Sequence, residues 1–162
     1  MTPPRDVATQ PREKNMASRD AAALGRAPRQ YGTGEEIANA VSHGVGALLS
    51  IAALVLLVVR AAMSGAGAAH VVPAVLMGVS LVLEFLFSTL YHALRPRAAK
   101  AVFRVLDHSA IYLLIAGSYA PFAFITLAGE GGFQLGVAVW VIAAVGIVAE
   151  CFLRERQPKW VS

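Results

Sequence analysis

From residue 37 onward the chain alternates long runs of Ala, Val, Leu, Ile and Phe with short polar breaks. Four runs stand out, at about 37–59, 71–94, 105–127 and 133–153. Each reaches or exceeds the roughly 20 residues that a helix needs to cross the hydrocarbon of a bilayer. Their apolar residues come in blocks rather than in one amphipathic stripe, so lipid must solvate most of their surface. The pattern predicts an all-α integral membrane helical bundle with four transmembrane helices within a domain spanning 33–162. Residues 1–32 mix Pro, Ala and Gly with six Lys/Arg and three acids and hold no apolar run of signal-peptide length. They are expected to form a disordered cytoplasmic tail, either solvated or touching anionic lipid.

Charge orients these spans. The first break, "AAMSGAGAAHVV", is uncharged, the second, "RPRAAKAVFR", holds four basic residues, and the third, "AGEGG", carries only Glu130. The chain ends in "RERQPKWVS", with Arg154, Arg156 and Lys159. All three basic regions then fall on one side, and the positive-inside rule predicts a cytoplasmic amino terminus of a multi-pass protein in the cell membrane. Composition agrees: 57% of the 162 residues are hydrophobic and 15% charged, too apolar for an ordinary soluble domain. The net charge of +4 sits beside apolar runs rather than on a soluble face, so membrane lipids are the expected partners and nucleic acid is not. The single cysteine, Cys151, excludes an intrachain disulfide and reads as a small buried apolar residue.

The chemistry lies in the few polar residues inside the spans. In the first, Glu36, Asn39 and His43 fall on one helix face. Thr33 and Glu36 have capping-box spacing, which offers a structural reason for the glutamate, and helix packing offers one for His43. The second span carries "LEFLFSTLYH", whose Glu84, Ser88 and His92 are four apart and make a polar stripe along an apolar helix. An acid at mid-membrane costs about 2.5 to 3.5 kcal/mol on insertion scales, so Glu84 must face the bundle interior. His92 taken alone also reads as an interfacial histidine. The third span opens "RVLDHSAIYLLIAGSYAPF". Asp107 and Ser118 share a face there, and Pro121 removes a helix hydrogen bond and predicts a kink. Asp107 also reads as an N-cap or as an ion pair with Arg104.

By this topology Asn39, His43, Ser88, His92, Asp107 and His108 all map to one leaflet. Convergence from three helices points to a shared polar cavity. Imidazole with carboxylate, reached by water, suits zinc, the carboxylate orienting or deprotonating a bound water.

The stretches "EEIANAVSHGVG", "STLYH" and "LDHSAIYLLIAGSYAPF" resemble the hemolysin III proteins, the bacterial branch of the progestin and adipoQ receptor family, and the likeness runs from about Tyr31 to the end. That resemblance implies a seven-helix fold and a zinc-dependent hydrolase of membrane lipid amides or esters. It makes His92 a zinc ligand, Ser88 its catalytic neighbour and Asp107 the acid that positions the water. Glu36, Asn39, His43, Glu84, His108 and Ser118 complete the cavity or its second layer. The family's His-x-x-x-His on its last helix has no counterpart here, so the expectation is a chain shortened after four of seven spans, with an incomplete zinc site and no activity of its own. The competing expectations are a pore-forming cytolysin and a lipid-sensing receptor without turnover.

Overall fold

A computed structural model describes residues 32–153. Four helices follow one another: α1 (Thr33–Met63), α2 (Ala68–Ala93), α3 (Arg97–Pro121) and α4 (Gly132–Leu153), with a π-helical segment, Phe122–Thr126, continuing α3. All four are long and apolar enough to cross a membrane. The tail expected over 1–32 lies outside the described residues apart from Gly32.

The helices outrun the hydropathy pattern at their polar ends. α1 begins at Thr33 rather than 37 and α3 at Arg97 rather than 105. Apolar runs mark only the part of a helix that lies in hydrocarbon, whereas Arg, Lys, Ala and Glu are good helix formers and carry the backbone onward into the interface. At 31 residues α1 is roughly 46 Å long, well beyond a hydrocarbon core of about 30 Å, so its first turns stand at headgroup depth.

Connections are short, and glycine supplies the backbone conformations they need. Gly65 and Gly67, at φ 76° and 59°, turn the chain between α1 and α2, and Gly129 and Gly131, at 86° and 85°, turn it into α4. Pro121 does not simply bend α3. Its ring cannot donate to the preceding turn, and beyond it the winding loosens, with the Leu127 amide donating five residues back to the Phe122 carbonyl at 3.0 Å.

Each helix makes backbone contact with its sequence neighbours and not across the row: α1 on α2, α2 on α3, α3 on α4. The buried seams are built of small residues, among them Ala74, Ser80, Ala110, Ala116, Ala120 and Ala143. Lipid tails are as apolar as leucine, so helices in a bilayer associate through close approach rather than hydrophobic exclusion. Large residues point outward instead: Leu48, Leu49 and Ile142 are each about two-thirds exposed. Cys151, expected to be buried, is exposed on α4: it lies on a face of α4 turned away from the α3 seam.

The closest approach is at Gly117, where an added Cβ would stand 2.8 Å from the Leu76 carbonyl oxygen and run into the Ser80 hydroxyl. Gly117→Val is therefore expected to destabilise the fold by about 1–3 kcal/mol. Gly34→Ala, with nothing within 4 Å of the new carbon, should leave stability unchanged. Unfolding of both variants by titrated denaturing detergent, followed by helical circular dichroism, checks the pair.

Candidate functional site

Antiparallel succession brings the start of α1, the end of α2 and the start of α3 to one end of the molecule. Glu36, in the first turn of α1, joins all three. His92 Nδ1–H donates to Glu36 Oε2 at 2.9 Å, and Lys100 Nζ donates to Glu36 Oε1 at 2.6 Å. Both carboxylate oxygens are thus committed to partners 56 and 64 residues away along the chain, not to capping their own helix. An ionised carboxylate only accepts, so in this contact Nδ1 carries a proton. The His92 side chain is 9% exposed, and its ring lies tilted by 54° to the Tyr91 ring at a centroid distance of 4.8 Å. It does not project into acyl chains.

A second tier lies deeper. His43, Glu84 and Asp107 each sit nine or ten residues in from the helix end at Thr33, Ala93 or Arg97, about 15 Å along their axes. The His43 ring meets His92 edge-on at a centroid distance of 6.2 Å and Phe85 at 5.7 Å. Asp107, with a side chain 15% exposed, is close enough to Glu84 for the two carboxyls to interact electrostatically. Ser88, one turn from both Glu84 and His92, is buried. Among the described residues His43 Nδ1, Glu84 Oε2 and Ser109 Oγ are buried without a hydrogen-bond partner. Buried polar atoms are normally satisfied, most of all in a bilayer, so three helices here aim unspent hydrogen-bonding capacity inward at similar depth.

Not every expected residue joins. Ser118 is exposed, and its hydroxyl donates to the Ile115 carbonyl of its own helix at 2.9 Å. It shares a helical face with Asp107 but stands three turns farther along, so helical phase placed it correctly and depth removes it from the polar group. His108 spends Nδ1–H on the Arg104 carbonyl at 2.7 Å, with Asp107 Oδ2 3.7 Å away. Asp107 is neither an N-cap, being ten residues inside α3, nor ion-paired with Arg104 among the described residues. Asn39 is half-buried, and the contact at its position is a bond from the Ser42 hydroxyl to its carbonyl. Lys100 and Ser109 were missed. Lys100 was legible only as a topological charge, although an interfacial Glu36 calls for a cation nearby; Ser109, next to His108, had no spacing signal.

A model described as "Haemolysin-III related" matches residues 31–162. The chain belongs to the haemolysin-III related family. It is 48% identical over 122 residues to Hemolysin-3 of Bacillus cereus, covering 75% of this chain and 55% of that protein. It is likewise 48% identical over 122 residues to the Hemolysin-3 homolog of Bacillus subtilis, covering 57% of it. The chain therefore spans little more than half the length of these curated relatives. No solved structure matches. Membership in this family and the four apolar spans together make the chain a multi-pass membrane protein.

The donor set can be tested against the zinc ion that the resemblance implies. His92 has the form of a ligand, its Nδ1–H held by a carboxylate as in metal-bound imidazoles. A complete ligand set is not formed: among the described residues no three His, Cys, Asp or Glu side chains come together as a metal requires, and even an open catalytic site uses about three.

The Glu36 clamp has a measurable signature. A double-mutant cycle on Glu36→Ala and Lys100→Met should give a coupling of about 1 kcal/mol, the upper range for polar pairs in membrane helices. Additive losses in detergent unfolding would show the pair to be incidental.

Proposed function

We propose that the polar end of this chain is one part of a membrane hydrolase site acting on a lipid amide or ester, with that end in the cytoplasm. The observation that supports it most is the bond from His92 Nδ1–H to Glu36 at 2.9 Å, which orients the ring as a carboxylate orients a metal-binding imidazole. A structural histidine near a helix end has no need of a half-buried carboxylate shared among three helices. Glu36 orients the ring, and Lys100 keeps Glu36 ionised. Asp107, beside a second buried carboxyl, is the base suited to hold a water proton. Ser88, between the tiers, suits a hydrogen bond to the substrate's polar group.

Zinc is the cofactor we propose, with His92 as one ligand and the remaining donors supplied from outside the described residues; the chemistry such an ion supplies is activation of water at neutral pH. The half-buried position of the second tier, about 15 Å in from the helix ends, fits a scissile group delivered from the bilayer rather than from water.

The decisive experiment measures zinc by elemental mass spectrometry and cleavage of a short-chain lipid amide by the intact chain reconstituted in lipid nanodiscs, alone and co-expressed with the remaining length of a relative. The complemented protein should hold zinc. His92→Ala should abolish both readouts, and Glu36→Gln should weaken zinc affinity by about 10–100-fold. Zinc content indifferent to His92 in the complemented protein overturns the reading. Dye release from liposomes that survives His92→Ala and Asp107→Asn would instead assign the membrane lysis that the relatives' names denote.

A further inference from the structure

The start of α3 carries more positive charge than topology requires, and it carries it in one place. Arg97, Lys100 and Arg104 fall at i, i+3 and i+7 on a single helical face. With Tyr91 of α2 and Ala101 they line a pocket of about 270 Å³. The Lys100 ammonium stands 5.2 Å from the centre of the Tyr91 ring, which fixes one wall. Among the described residues one carboxylate, Glu36, contacts this group, through Lys100. Among the described residues no acid pairs with Arg97 or Arg104.

The backbone adds to the field. Pro96 caps α3 without a side-chain hydrogen bond, and the first turn holds no acid, so the helix presents its positive end and unsatisfied amides beside the same cations. The positive-inside rule explains why basic residues occur in this connection. It does not explain why three of them line one site with an aromatic wall, which Arg95, two residues away, does not line.

We propose that this pocket binds the phosphate group of an anionic phospholipid. Two guanidinium groups offer paired N–H donors matched to phosphate oxygens, and a basic pocket between helix ends at the interface stands at the depth of lipid phosphates. The site is defined by its cations whatever chemistry His92 performs.

The test is native mass spectrometry of the intact chain released from nanodiscs of phosphatidylcholine alone or with phosphatidylglycerol. Wild type should retain phosphatidylglycerol over phosphatidylcholine. The Arg97→Gln/Arg104→Gln double variant should retain it about thirtyfold less well, roughly fivefold for each cation removed at a membrane surface. Arg95→Gln should retain it like wild type, and Lys100 is left unaltered because its loss would also release Glu36. A parallel titration with inorganic phosphate in phosphatidylcholine discs separates the sources. Phosphate binding that needs both arginines, without lipid preference, keeps the phosphate site and reassigns its ligand to a soluble anion. Retention of phosphatidylglycerol and phosphate that is equal in the double variant, the Arg95→Gln control and wild type overturns the proposal. Should the double variant not fold, wild-type retention decides: it should fall steeply between about 50 and about 500 mM salt, and a flat response overturns the site.

Discussion

Glu36 is the side chain on which the polar end of this molecule depends. α1 and α3 make no backbone contact, yet the carboxylate reaches an imidazole on α2 and an ammonium on α3. Three helix ends are therefore registered against one another by two hydrogen bonds at a single acid. In water such a pair would be worth little. Here the alternative to pairing is a charged group left at the edge of the hydrocarbon, so the geometry is held by the cost of breaking it as much as by the attraction itself.

The rest of the fold obeys the complementary rule. Away from that end, the seams are made of Ala, Gly and Ser and the large apolar residues face outward. A leucine gains nothing by leaving lipid for protein, whereas a small residue lets two backbones approach and gain dispersion contacts along their whole length. The same chain thus uses close packing where it is surrounded by acyl chains and charge where it meets headgroups. Polar atoms such as Glu84 Oε2 and His43 Nδ1 stand where the two regimes meet, and that is why they are candidates for chemistry rather than for structure.

Four spans were readable because a run of some twenty apolar residues has few other fates. Their ends were not, since hydropathy reports the lipid boundary and helix propensity carries α3 on to Arg97. Periodicity showed that Glu84, Ser88 and His92 share a stripe, and the burial of Ser88 and His92 agrees. It also put Ser118 on the face of Asp107, correctly in phase, but phase says nothing of depth. Glu36 was legible as a polar residue and obscure in purpose. Its capping-box spacing is local, whereas its partners lie 56 and 64 residues away, and no short-range pattern encodes that. Lys100 escaped notice for the same reason: a lysine in a basic loop has a sufficient topological explanation until its neighbour is known.

The row-like arrangement bears on how the polar end can work. A closed bundle would hold His43, Glu84 and Asp107 between fixed walls, but here the backbone of α1 packs only on α2 among the helices, and only 6% of its span is buried against 28% for α2 and 33% for α3. At the polar end it is held by Glu36 and by the packing of His43 on Phe85 and His92. Lys100 is shared between that clamp and the basic pocket of α3, and a lysine ammonium close to two anions divides its attraction between them. Charge placed beside Arg97 and Arg104 therefore acts on the same carboxylate that orients the His92 ring. The imidazole and the membrane surface are linked by one acid and one base, over a span short enough for ordinary Coulomb forces to matter.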